Sequence, residues 1–110
     1  MEIKDFADAM IKVAALNDKR IKAFDDFRSG VDLLNKTNCL MNIRAQYMSI
    51  ANWLLYSEQR KGGYTLEDRQ LGNACLQGIA ACNNELGRTY TNYMADKLQS
   101  QLLSFLFGKN

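Results

Sequence analysis

The chain contains no proline and no histidine. Proline breaks helix interiors and punctuates loops, so its absence suits a few long helices joined by short turns. Without histidine there is no Ser–His or Cys–His pair and no imidazole base, which removes the commonest devices of nucleophilic and acid–base catalysis. Cysteine is sparse. Cys39, Cys75 and Cys82 form no CxxC pair, and three thiols without histidine cannot complete a tetrahedral zinc site of the usual kind. No metal and no cofactor is expected, and the thiols read as buried and free in a reducing cytoplasm.

Two further shortages narrow the class. No apolar run approaches the roughly 20 residues of a membrane span, and the opening MEIKDFADAM lacks the basic-then-apolar order of a signal peptide, so a cytoplasmic protein without a membrane partner is expected. Net charge is only +2, too little to imply nucleic acid by itself. What the chain does have is 47% hydrophobic and 24% charged residues over 110 positions. That is ordinary globular usage, and the length fits one domain over residues 1–110.

The hydrophobic residues recur with a helical period. Ile3, Phe6, Met10 and Val13 share an arc with Phe24, Phe27, Val31 and Leu34, when placed at about 100° per residue. The shared phase predicts one helix over Glu2–Lys36, with Asn17 and Arg20 as a polar layer mid-arc. A break at Asn17-Asp18 is the alternative. NKTNCLMNIR then reads as a turn with Thr37 or Asn38 as cap. A second helix over Cys39–Arg60 carries apolar side chains on much of its circumference, including Leu40, Ile43, Tyr47, Ile50 and Leu54.

The stretch KGGYTLEDRQL poses a choice between a phosphate loop and a corner. A P-loop needs a strand before it and a Gly-Lys-Ser/Thr opening the helix. Here the preceding segment is helical and Lys61 comes before the glycines. Thr65 suits an N-cap and Glu67 and Asp68 a first turn, so the stretch reads as a helix–turn–helix corner. From Leu66 to about Phe107 the pattern is again helical, but its phase rotates near Gly87, which predicts a kink or split there with Thr89 as a fresh cap.

Candidate sites are few. Lys4/Asp8, Asp18/Lys22, Lys22/Asp26 and Glu85/Arg88 have the spacing of solvated helix pairs, and no catalytic residues emerge. Arg44 projects into the apolar arc of its helix, which calls for an internal partner, a snorkelling pose or a contact with a partner's acid. GNACLQGIAAC concentrates small residues on a helix, to be filled by the bulky Phe6–Phe27 face or by another subunit. The tail QLLSFLFGKN places Leu102, Leu103, Phe105, Leu106 and Phe107 on nearly all sides, more than one neighbour can bury. NNELGRTYTNY groups amide, carboxylate, guanidinium and phenol near the predicted kink.

Together these features predict an all-α bundle of three long helices with up-down topology, the third kinked or split in two. The expected function is a non-enzymatic protein–protein interaction module: a small inhibitor, adaptor or assembly subunit that binds a larger protein or forms a homo-oligomer. Its contacts are expected at Arg44, Trp53, Tyr56, Leu102, Leu103, Phe105, Leu106 and Phe107. One alternative is a weak, sequence-independent nucleic-acid binder using Lys19, Arg20, Lys22 and Arg28. Another is a helical bundle holding a small ligand near Arg88 and Tyr93.

Overall fold

The computed structural model describes residues 2–56 and 65–108. Four helices follow one another: α1 (Phe6–Arg28), α2 (Leu33–Tyr56), α3 (Leu66–Leu86) and α4 (Tyr93–Phe107), with a short 3-10 turn at Arg88–Tyr90 between the last two. The described residues are thus all-helical, with four helices where the sequence pattern predicts three.

Each helix start has a local cause. The Asp5 carboxylate accepts the Asp8 N–H at 2.8 Å and caps α1. Asp8 in turn accepts the Lys4 N–H and the Lys12 ammonium, and those two partners hold its pKa below the ordinary value. Thr65 caps α3 in a full capping box: its hydroxyl accepts the Asp68 N–H, and the Asp68 carboxylate accepts the Thr65 N–H, both at 3.1 Å. The predicted cap at Thr65 is therefore seen. Gly62 and Gly63 lie outside the described residues.

Two boundaries differ from the expectation. α1 runs unbroken through Asn17-Asp18 but ends at Arg28, not Lys36. Gly30 (φ 75°) and Asp32 (φ 53°) turn the chain there, and the Asp32 carbonyl accepts the Lys36 N–H to begin α2. Val31 in this turn and Leu34 at the start of α2, which continue the α1 phase in sequence, are surface residues. Thr37 does not cap a helix; it is buried inside α2. The predicted division at Gly87 does occur, where φ of 76° terminates α3. The cap of α4 is Asn92, which accepts the Ala95 N–H at 3.0 Å, rather than Thr89.

Contacts far apart in sequence give the topology. Tyr47 on α2 meets Asn17 on α1 and lies over Gly78 on α3, while Arg28 at the end of α1 pairs with Glu85 near the end of α3. Asn83 on α3 bonds Gln99 on α4, and Phe105 on α4 reaches Gly72. α1 and α3 thus run together, with α2 and α4 antiparallel to them. α2 and α3 touch each other and both remaining helices; α1 and α4 do not approach.

The core is the inner stripe of each helix: Ala9, Val13, Leu16 and Ala23; Leu40, Ile43, Tyr47, Ile50, Ala51 and Leu54; Leu71, Cys75, Ile79, Cys82 and Leu86; Ala95, Leu98, Leu102 and Leu106. The two glycines of α3 are filled from α2 and α4, not from the Phe6–Phe27 face. A Cβ at Gly78 would collide with the Tyr47 ring, and one at Gly72 would press on Phe105 at 3.0 Å and Leu54 at 3.3 Å. The polar layer predicted on α1 is present at the same level. The Tyr47 hydroxyl donates to Asn17 at 2.7 Å, and Arg20 stacks on Phe24 and Tyr47 while donating to the Gln77 carbonyl. Burial pushes the Tyr47 hydroxyl up to about 12.

Candidate functional site

Arg44 anchors the joint between α3 and α4. It is 4% exposed, and its Nη1 donates to the Asn83 side-chain carbonyl at 2.7 Å and to the Tyr90 carbonyl at 3.0 Å. Asn83 uses its other amide group to donate to Gln99 at 2.6 Å. One guanidinium from α2 therefore fixes the end of α3, the 3-10 turn and, through Asn83, the middle of α4. No carboxylate lies within ion-pair distance of it among the described residues. Burial lowers its pKa, and Asp96 is the carboxylate that acts in the opposite sense. A buried charge held by neutral acceptors costs desolvation but fixes geometry through directed bonds. Arg44 thus has internal partners, the first of its three predicted readings.

Above this anchor the broken backbone leaves a cleft of about 220 Å³, lined by Asn83, Asn84, Gly87, Arg88, Thr91 and Asp96. Arg88 lines it as the ligand reading expects. Tyr93 does not; it is 76% exposed on the outer face of α4. Asn84 belongs to the NNELGRTYTNY stretch singled out in the sequence, whereas Asp96 follows from no sequence signal, because only the fold brings the first turn of α4 back over the end of α3.

The apolar tail divides. Leu102 and Leu106 point into the core, Phe105 is half-buried against it, and Leu103 and Phe107 face outward. A notch of about 260 Å³ between α3 and α4 is lined by Arg69, Gln70, Asn73, Leu106 and Phe107. Tyr56 ends α2 and Leu66 begins α3 at this same end, and both are exposed. Trp53 is partly buried against the core. Of the predicted contact residues, the structure leaves Leu103, Phe107 and Tyr56 on the surface and takes Arg44, Leu102 and Leu106 inside.

The four basic residues of the nucleic-acid reading also separate. Arg28 is spent on a two-point contact with Glu85, which raises its pKa, and it stacks on Phe24. Arg20 is spent on the polar layer. Lys19 and Lys22 remain, lining an α1–α2 groove of about 390 Å³ with Asp26, Cys39, Ile43 and Gln46. Two lysines beside an aspartate are not the dense stripe that neutralises a phosphate backbone.

The cysteines need one correction: Cys39 is exposed, whereas Cys75 and Cys82 are buried. Burial pushes the Cys75 thiol up to about 12 and Cys82 up to about 11, so neither is a thiolate near neutral pH. Among the described residues no acidic or thiol cluster could hold a metal ion, and no helix is long and apolar enough to cross a membrane. No protein-family model, curated protein or solved structure matches this chain.

Proposed function

We propose that this chain is a non-enzymatic protein–protein interaction module, acting as an inhibitor, adaptor or assembly subunit by binding a larger protein or a second copy of itself. The outer end of α4 carries the reading. Phe107 is 75% exposed and Leu103 47% exposed, beside the notch floored by Leu106. A large aromatic left in water next to an apolar recess has the chemistry of a docking anchor, since buried aromatics dominate interface energies. Tyr56 and Leu66 extend the apolar surface at the same end, while Arg69, Gln70 and Asn73 supply the polar rim such interfaces have. The notch is too small for a drug-sized ligand but fits one apolar side chain of a partner. We place the protein in the cytoplasm on its free thiols and rank nucleic acid below protein, because Arg20 and Arg28 are internally engaged.

Native mass spectrometry of the gently purified full chain tests this, beside Phe107→Ser and Leu103→Ser variants. The expected result is a homo-oligomer or a retained partner protein that both variants lose while keeping the helical circular-dichroism signal. A bare monomer that retains no protein, identical for all three chains across the concentration range, would sink the proposal.

A further inference from the structure

We infer that the cleft at the α3–α4 joint is a binding site for a small zwitterion of the amino-acid type, its carboxylate held by Arg88 and its ammonium by Asp96. The two opposite charges line one cleft, yet they form no ion pair with each other or with any other described residue. Asn84, also in the lining, makes no side-chain hydrogen bond within the described residues. Three side chains of different type, none spent on a hydrogen bond or ion pair with another described residue, therefore line one recess, and Asp96 also feels the buried Arg44 charge. The Thr91 hydroxyl donates to the Arg88 carbonyl at 2.7 Å and keeps its lone pairs for an additional donor.

The floor is fixed in advance. Asn83 is held on both sides of its amide, by Arg44 at 2.7 Å and by Gln99 at 2.6 Å, and Arg44 also grips the Tyr90 carbonyl of the turn that carries Arg88. Such directed support fixes the backbone from which Arg88 and Asn84 project, which lowers part of the ordering cost of binding. Charge sets the ligand class. The lining holds one cation, Arg88, and one anion, Asp96, so a ligand that carries one carboxylate and one ammonium answers both. Size sets the limit. A volume of about 220 Å³ gives room for a small amino acid.

The test is a titration of the isotope-labelled full chain followed by two-dimensional amide NMR, using serine, acetate and ethylamine as probes. Serine is expected to shift the amides of residues 83–96 and to reach half-saturation at about one-tenth the concentration of acetate or ethylamine, because it makes both charged contacts. Arg88→Gln and Asp96→Asn are each expected to raise the serine midpoint at least about tenfold. Both side chains lie on the surface, so unchanged amide positions elsewhere will show that the variants fold. Serine no better than acetate, or a serine midpoint unmoved by Asp96→Asn, overturns the inference.

Discussion

Where α3 gives way to α4, the molecule is fastened by polar groups: Arg44 bonds Asn83 and the Tyr90 carbonyl, and Asn83 bonds Gln99. At the opposite end, where α2 finishes and α3 begins, the helices meet through Leu54, Gly72 and Phe105, and Phe107 stands in solvent beyond them. The polar end satisfies its strongest groups internally and leaves a small charged recess outside. The apolar end does the reverse, pairing Thr65 with Asp68 in a local cap and leaving hydrophobic surface uncovered. Hydrogen bonds specify geometry but contribute little net energy, whereas exposed apolar surface gains by finding a cover. On this contrast rest both proposals, a small polar molecule held at one end and a protein met at the other.

The largest expected effect erases the comparison, because it removes the middle on which both ends depend. Folded-state pKa values of Cys75, Cys82 and Tyr47 stand at about 12, 11 and 12, above ordinary values of 9.0, 9.0 and 10.0. In the unfolded chain these groups ionise first, so the native state binds more protons in that window. Stability is then fully present below about pH 9 and falls as pH rises towards about 12. Urea midpoints measured from neutral pH upward should drop steeply across that range, and a Cys75→Ala/Cys82→Ala double variant should lose much of the drop. A flat profile would show that these groups are not as desolvated as the structure places them.

Gly78→Leu acts on the same middle layer by sterics. Even a Cβ at Gly78 meets the Tyr47 ring, and Tyr47 is fully buried with its hydroxyl tied to Asn17, so it cannot swing aside. Overpacking of this kind should cost about 3 kcal/mol or more, read from chemical denaturation. A variant that folds with normal stability would mean the α2–α3 contact is looser than described.

Arg44→Met separates the two ends. The methionine keeps most of the apolar stem but leaves the Asn83 and Tyr90 carbonyls without their donor, at an expected cost of about 2 kcal/mol. Amide exchange should quicken at residues 83–92 while the α3 start and α4 end stay protected. Uniform loosening at both ends, or a cost below about 0.5 kcal/mol, would deny Arg44 its anchoring role.

These contrasts were legible in the sequence only where they are local. The α3 cap could be read because Thr65 and Asp68 are three residues apart, and the break at Gly87 because the apolar phase rotates there. The α1–α2 turn was masked by Val31 and Leu34, which extend the core phase although they lie at the surface; Gly30 was the truer signal. Arg44 could be seen as a charge in the wrong place, but its partners lie 39 and 46 residues away and no spacing announces them. In the tail, apolar residues on every side left no phase to separate Leu102 and Leu106, which go in, from Leu103 and Phe107, which stay out. The same holds for Arg88 and Asp96, which share a cleft only because the chain reverses between them.

Gly72→Ala is the smallest effect and the finest probe of the apolar end. Alanine favours a helix interior over glycine by about 1 kcal/mol, while the new methyl must push on Phe105 at 3.0 Å and Leu54 at 3.3 Å. Phe105 is only half-buried and near the end of α4, so it has somewhere to go, unlike Tyr47 over Gly78. The two terms should nearly cancel, leaving a change within about 1 kcal/mol of zero. The displaced Phe105 ring should also alter the neighbouring notch at Leu106 and Phe107, so partner binding should change more than stability does. If Gly72→Ala instead destabilises by as much as Gly78→Leu, the apolar end is packed as rigidly as the middle, and the contrast between a fastened end and a receptive one fails there.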